Sequence, residues 1–300
     1  MKETIYSRLN QIPKGEAGNE LINACLVVEG GALRGLYNQG VMDVWMKQGI
    51  NFSCVIGVSA GALAGMNYVS GQIGRSARAN LGHRHESDYM GLGALKKSKS
   101  FIRLDYLFQD YENIEPLNAE RFYDEKRRFI AVVTNVETGQ TEYMEKGKCS
   151  DILAAIKASA SMPYVSKPVE IDGVPYLDGG CSCKLAYQWA LDQGYEKIIV
   201  IRTREQGFRK KITHRNLEDR FYKDYPEFAK TLSVSNEKYN RQCAEVERLE
   251  NIGRLFAIYP SKPVEVGRVE GDMEKLGQLY WLGYSDALSS IERLKEYLDK

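Results

Sequence analysis

The chain has 300 residues, of which 43% are hydrophobic and 27% are charged, and its formal net charge is +1. This length suits one large α/β domain or two small ones, and the near-zero charge gives no overall field that would favour nucleic acid. The first twenty residues lack the apolar core of a secretion signal, and no run approaches the ~18 apolar residues of a membrane-spanning helix. We therefore expect a cytoplasmic protein, with peripheral membrane contact left open.

The six cysteines form no recognisable disulfide framework, which agrees with a reducing compartment. Cys25 and Cys54 lie in apolar runs and are expected to be buried. Cys181 and Cys183 form a C-x-C pair, but no second pair of ligands follows at zinc spacing. We expect no metal and no other cofactor.

Short apolar runs alternate with helical patterns along the chain. Strands are predicted at residues 25–28, 52–57, 129–135, 197–203 and 255–259, and helices at residues 37–48, 60–70, 152–160 and 185–193. This alternation predicts an α/β fold with a mainly parallel sheet covered on both faces. Two longer helices are predicted at residues 226–252 and 272–299, and the apolar stripe of the second favours core packing over a partner interface.

Without an internal repeat or a low-complexity linker, we expect a single domain over residues 1–300. Its motif-bearing core covers about residues 24–203, and a helical part covers about residues 204–300. Residues 78–118 break the pattern and form either a lid or part of the core. The basic residues Arg209, Lys210, Lys211 and Arg215 are best interpreted as a solvated loop.

The segment FSCVIGVSAGALAG places a G-x-S-x-G motif between a predicted strand and a predicted helix. In this context Ser59 lies on a sharp turn with its hydroxyl above the sheet edge, as in serine hydrolases. Gly57 and Gly61 carry no side chain where strand and helix approach closely. The first N–H groups of the helix favour negative charge beside Ser59.

A second glycine-rich turn, residues 30–35 (GGALRG), follows the first predicted strand. Such a turn presents backbone N–H groups to an anion. A dinucleotide phosphate is disfavoured, because Ala32 occupies the second glycine position of G-x-G-x-x-G and no acidic residue ends the next strand. An oxyanion hole beside Ser59 is the better use of this turn.

A serine nucleophile needs a base, and the chain has only three histidines. His214 lies downstream, where a conventional Ser-Asp-His order would place it. His83 and His85 are expected to be exposed polar residues. No histidine stands in a clear catalytic motif.

Two Asp-Gly pairs offer a carboxylate instead. Asp172 and Gly173 read as a two-residue hairpin turn, so this aspartate is expected to be structural. Asp178 follows an apolar strand and precedes Gly179 and Gly180. Burial and direct contact with the Ser59 hydroxyl would make its carboxylate a usable base.

In this order, residues 30–35, 57–61 and 178–180 resemble the patatin-like phospholipases, and so does the segment 158–163 (ASASMP). The resemblance covers about residues 24–203, and the C-terminal part looks most like a bacterial, uncharacterised branch. It implies a three-layer α/β/α sandwich and a Ser59–Asp178 catalytic dyad without histidine. The family usually has glycine where this chain has Ala32, whose Cβ restricts a positive φ.

The resemblance also implies roles for the remaining motif residues. The oxyanion hole would consist of the backbone of Gly30, Gly31 and Ala32, with Arg34 supporting the loop. The motif-supporting residues would be Gly35, Gly57, Gly61, Gly179 and Gly180.

Three functions therefore stand as hypotheses. The first is a lipid acyl hydrolase of phospholipase A or esterase type that forms an acyl-serine intermediate on a lipid or small ester. The second is a Ser-His-Asp esterase that uses His214. The third is a non-catalytic nucleotide-binding or scaffold protein of the same fold.

Overall fold

The computed structural model describes residues 5–86, 89, 103–212 and 220–300. The strands in these residues are β1 (Gly15–Glu16), β2 (Ile22–Val28), β3 (Phe52–Val58), β4 (Gln72–Ile73), β5 (Arg128–Asn135), β6 (Thr141–Glu145), β7 (Val169–Ile171), β8 (Val174–Asp178), β9 (Ile198–Ile201) and β10 (Phe256–Ile258). The helices are α1 (Leu36–Lys47), α2 (Ala60–Val69), α3 (Arg75–His83), α4 (Ala119–Tyr123), α5 (Ile152–Ser159), α6 (Tyr187–Asp192), α7 (Pro226–Asn251) and α8 (Met273–Asp299).

The central sheet has the strand order β10-β9-β2-β3-β5-β8-β7, and β6 also pairs with β5. The neighbours from β10 to β5 are parallel. At the other side, β6, β8 and β7 pair in antiparallel fashion. The prediction of an α/β fold with a mainly parallel sheet is confirmed.

Helices cover the sheet on both faces. In β2, Leu26 and Val28 point into a core shared with α1, α2, α5 and α8. Cys25 and Val27 point into a second core shared with α6 and α7. Because both faces are buried, the central strands are continuously apolar rather than alternating. This arrangement is the three-layer sandwich that the family resemblance implied.

Helix α3 ends at His83, so the start of segment 78–118 has a regular structure that the sequence analysis did not predict. The helix begins after Gly74, which has a left-handed φ of 77°. Its first residue, Arg75, is buried and pairs with Glu112 at 2.6 Å. Because an arginine occupies a buried position, the apolar period that identifies a helix is weak here. Residues 87–88 and 90–102 of this segment lie outside the described residues.

The described residues of the same segment pack on one another. Ala79, Tyr89, Tyr106 and Tyr111 form a small apolar cluster separate from the two main cores. No helix among the residues described here is long and apolar enough to cross a membrane.

Candidate active site

Ser59 occupies the turn between β3 and α2. Its backbone has φ 57° and ψ −124°, a conformation that strains any residue carrying a Cβ. Its N–H donates to Ser159 Oγ at 2.9 Å, which fixes the turn from the side of α5. A strained turn of this kind lifts the serine hydroxyl clear of the sheet.

Strand register brings Asp178 to the same end of the sheet. Asp178 pairs with Val133 across β8 and β5. The preceding residue of β5, Val132, pairs with Val58, which directly precedes Ser59. Ser59 Oγ donates a hydrogen bond to Asp178 Oδ2 at 2.7 Å.

The Asp178 carboxylate is buried and fully engaged. Its Oδ1 accepts from the Gly180 N–H at 2.7 Å, and its own N–H donates to the Ser161 carbonyl at 2.9 Å. Burial raises the pKa of Asp178 above its ordinary value, while the hydrogen bonds from Ser59 and Gly180 oppose that rise. The carboxylate is therefore a stronger base than an exposed aspartate.

The glycine-rich turn at residues 30–35 lies directly against Ser59. A Cβ on Gly30 would stand 2.7 Å from the Val58 carbonyl oxygen and 2.8 Å from Ser59 Cβ, so only glycine permits this approach. In the described part of the chain, the N–H groups of Gly30, Gly31 and Ala32 donate to no backbone acceptor. These three N–H groups beside Ser59 are therefore not used by the backbone of the described residues.

Ala32 adopts the conformation that its Cβ disfavours. Its φ is 51°, in the left-handed region that favours glycine. Arg34 contacts the same turn, because its Nε donates to the Gly31 carbonyl at 3.4 Å. Burial, with the nearby charges of Arg204 and Arg268, lowers the pKa of Arg34 to about 10.

The other motif glycines also stand where neighbouring elements approach. An added Cβ would lie 3.0 Å or less from another heavy atom at each of Gly35, Gly57, Gly61, Gly179 and Gly180, and at Gly180 that atom is Asp178 Oδ1. The closest approaches are at Gly179, where that atom would lie 2.1 Å from the Val132 carbonyl oxygen, and at Gly61, where it would lie 2.3 Å from the Val28 carbonyl oxygen.

A buried polar network that the sequence analysis missed supports the glycine-rich turn. Glu29 accepts from Arg202 Nε at 3.0 Å, from the Thr203 N–H at 2.7 Å and from Tyr239 Oη at 2.6 Å. Thr203 Oγ1 donates to the Gly30 carbonyl at 3.0 Å. The one available signal was Glu29 itself, a carboxylate between an apolar strand and the turn.

Neither described histidine is placed with Ser59. His83 lies 2.5 Å from Glu86 and 3.0 Å from the Tyr106 hydroxyl, and His85 Nε2 lies 2.9 Å from the Gly271 carbonyl. Both rings are half-buried, so the expectation of exposed side chains is wrong. His214 lies outside the described residues.

Two cavities meet at Ser59 and share the lining residues Ala32 and Met162. The first is mainly apolar, and its wall includes Leu33, Leu36, Leu63, Met66, Ala79, Tyr89, Leu104, Leu107 and Tyr111. The second has charged as well as apolar walls and is named the polar cleft for its charged residues; its volume of about 670 Å³ lies within the size range of ligand sites. Residues from segment 78–118 therefore line the apolar cavity.

Comparison with known families identifies the class of protein. A family model for patatin-like phospholipases matches residues 26–186, more than half of the chain. The chain belongs to this family, as its motifs predicted. A second model, a domain of unknown function (DUF6363), matches residues 225–299.

The chain is also similar to individual proteins. The chain is 26% identical over 265 residues to the uncharacterized protein YjjU of Escherichia coli (strain K12), covering 86% of this chain and 74% of that protein. Among solved structures, VipD from Legionella pneumophila matches with a TM-score of 0.46 and 12% identity, covering 100% of this chain and 70% of that chain.

Proposed function

We propose that the protein is a lipid acyl hydrolase of phospholipase A or esterase type, with Ser59 as nucleophile and Asp178 as general base. The hydrogen bond of 2.7 Å from Ser59 Oγ to Asp178 Oδ2 carries the proposal. It joins a hydroxyl on a strained turn to a buried carboxylate of raised pKa. Nucleophilic catalysis requires such a hydroxyl and a base within hydrogen-bond distance of it.

In the first half of the reaction, Ser59 Oγ attacks the ester carbonyl and its proton passes to Asp178 Oδ2. The carbonyl oxygen becomes an oxyanion, which the N–H groups of Gly30, Gly31 and Ala32 stabilise. The tetrahedral intermediate then collapses. The alcohol leaves with the proton from Asp178, and an acyl-serine remains.

In the second half, Asp178 takes a proton from a water molecule as the water attacks the acyl carbonyl. The same N–H groups hold the second oxyanion. Collapse releases the fatty acid, and the proton on Asp178 returns to Ser59 Oγ.

The two cavities at Ser59 support an amphiphilic substrate. The apolar cavity, of about 60 Å³, suits the part of the acyl chain nearest the ester, since burying each methylene contributes about 0.8 kcal/mol. The polar cleft then receives the alcohol part of the ester. A lipid ester fits this division better than a small polar ester, and peripheral contact with a membrane would deliver it.

We also propose that residues 1–300 act as a single domain. Helices α7 and α8 support this proposal, because their apolar residues belong to the same two cores as the sheet. Removal of residues 225–300 should therefore yield a chain that does not fold, as judged by near-ultraviolet circular dichroism and cooperative thermal unfolding.

The dyad is tested by p-nitrophenyl butyrate hydrolysis with wild type, Ser59→Ala, Asp178→Asn and His214→Ala. We expect Ser59→Ala and Asp178→Asn to lose about 10³-fold or more in kcat, and His214→Ala to stay active. Asp172→Asn is the matched control, because Asp172 belongs to the other Asp-Gly pair and is exposed.

Two other outcomes would replace the proposal. Loss of activity in His214→Ala, with Asp178→Asn active, would establish a histidine triad. If the wild type neither hydrolyses the ester nor reacts at Ser59 with a fluorophosphonate, the non-catalytic function would hold.

A further inference from the structure

The polar cleft beside Ser59 holds positive charge that the dyad chemistry does not use. Its lining includes the basic side chains Arg34, Lys184, Arg204, Lys210 and Arg268. The acidic residues in the same lining are Glu29 and Asp178. Both are engaged: Glu29 binds Arg202 and Tyr239, and Asp178 binds Ser59. The cleft therefore presents basic side chains without an uncommitted carboxylate.

The amines of Lys184 and Lys210 both contact protein groups in the cleft. Lys210 Nζ lies over the Tyr239 ring, 4.5 Å from its centre, and Lys184 Nζ donates to Ser235 Oγ. Burial lowers the pKa of Lys184 to about 8. Burial, followed by repulsion from Lys184 and Arg268, lowers the pKa of Lys210 to about 6. The interpretation of Lys210 as part of a solvated loop is therefore wrong.

Two arginines that line the cleft have side-chain N–H groups without a hydrogen-bond acceptor in the described residues. Arg204 Nε is buried and has no hydrogen-bond acceptor in the described residues. Arg268 is exposed at the cleft, and its guanidinium has no carboxylate partner within residues 5–86, 103–212 and 220–300. A bound anion would supply acceptors for the Arg268 guanidinium, and its negative charge would favour the protonated form of Lys210.

We propose that this cleft binds the phosphomonoester headgroup of an anionic phospholipid, and that Lys184, Lys210 and Arg268 determine the preference for it. The inference rests on the proposed function, because the headgroup must lie beside the ester that Ser59 attacks. A doubly charged phosphate matches several cations at once, whereas a choline headgroup adds a fixed positive charge. The face of Tyr239, one surface that could receive a quaternary ammonium, is occupied by Lys210.

The proposal gives a role to the segment that matches a domain of unknown function. Ser235, Tyr239 and Arg268 all lie within residues 225–299 and line the cleft. Lys184 belongs to the patatin-like part. The headgroup site is thus complete only when the two parts of the chain are packed together.

The test compares kcat/KM on dioctanoyl phosphatidic acid, dioctanoyl phosphatidylcholine and p-nitrophenyl butyrate, all below micellar concentrations. We expect the wild type to prefer phosphatidic acid over phosphatidylcholine by about 10-fold or more. In the double variant Lys210→Gln/Arg268→Gln, the ratio of kcat/KM on phosphatidic acid to that on the nitrophenyl ester should fall about 10-fold or more.

Two controls separate charge in the cleft from charge in general. Arg268→Lys keeps the cation and should keep most of the preference. Lys126→Gln removes an exposed lysine just before β5, at the sheet end opposite Ser59, and should leave the ratio unchanged. An equal rate on the two phospholipids, or an unchanged ratio in the double variant, would overturn the proposal.

Calorimetric titration with inorganic phosphate separates this inference from the proposed function. If the wild type hydrolyses no ester, yet binds phosphate in a manner that needs Lys210 and Arg268, the anion site stands and the hydrolase proposal fails. If it hydrolyses the nitrophenyl ester but neither binds phosphate nor distinguishes headgroups, only the present inference fails. Phosphate binding without a preference for phosphatidic acid would assign the cleft to the free ion and overturn the lipid assignment.

Discussion

The two long C-terminal helices cover opposite faces of the sheet and differ in what they contact. Helix α7 meets the polar network under the glycine-rich turn, where Arg202 donates to Tyr239 Oη at 3.2 Å and to Cys243 Sγ at 3.0 Å. Helix α8 packs on α1, where glycines permit close backbone contact. A Cβ on Gly40 would stand 2.1 Å from the Tyr280 carbonyl oxygen.

Both helices are amphipathic, yet their buried faces have different roles. The buried side of α8 stabilises the fold through close packing on α1. The buried side of α7 also carries polar groups toward the site. Changes in α8 should therefore affect stability, and changes in α7 should affect activity as well.

The largest expected effect on stability is at the α1–α8 contact. In Gly283→Ala, the new Cβ would lie 2.1 Å from the Tyr37 carbonyl oxygen, so the helices must move apart. We expect a loss of about 3 kcal/mol in the free energy of unfolding, measured with urea. Gly267→Ala, where nothing lies within 4 Å of the added Cβ, should change it by less than about 0.5 kcal/mol. Equal stability of the two variants would rule out this contact.

The same contact should make stability depend on pH. Asp43 of α1 is buried and accepts from the Tyr280 hydroxyl at 2.7 Å, and burial raises its pKa to about 7. Between the unfolded pKa of about 3.9 and the folded value, the native state holds the extra proton, so stability falls as pH rises. From pH 5 to 8 we expect a loss of about 2–3 kcal/mol through this group. Asp43→Asn should flatten the dependence, and an unchanged slope would contradict this origin.

Helix α7 is tested by removing one hydroxyl. Tyr239→Phe breaks the hydrogen bond of 2.6 Å to Glu29, at a cost of about 1–3 kcal/mol. Because Glu29 precedes the glycine-rich turn, kcat on p-nitrophenyl butyrate should also fall about 10-fold, with little change in KM. The matched variant on α8 is Tyr297→Phe, which loses a bond of 3.2 Å to the Arg254 carbonyl and one of 3.0 Å from the Ile198 N–H. It should lose stability but not kcat, and an equal fall in kcat would remove the distinction between the helices.

The smallest expected effect concerns the turn that α7 supports. Ala32 has a φ of 51°, so Ala32→Gly should relieve strain and raise the free energy of unfolding by about 1 kcal/mol. Ala154→Gly in α5 is the opposite control, because a glycine in a helix destabilises by about 0.5–1 kcal/mol. A loss of stability in both variants would show that Ala32 is not strained.

Local patterns in the sequence determined most of the sheet and its two sharp turns. Apolar runs gave β2, β3, β5 and β9, and glycines marked the ends of the first two strands. These signals are local, because strand period and turn chemistry depend on neighbouring residues. The motif order was sufficient to predict the family.

Tertiary structure alone decided which side chains meet at the candidate site. Ser59 and Asp178 are 119 positions apart, and the antiparallel pairing of β8 with β5 sets their distance. Lys210 belongs to a basic run that is typical of a surface loop, but its Nζ packs over the Tyr239 ring of α7. Burial and long-range pairing depend on the whole packed chain, so the environment of a single polar residue could not be predicted from its neighbours in sequence.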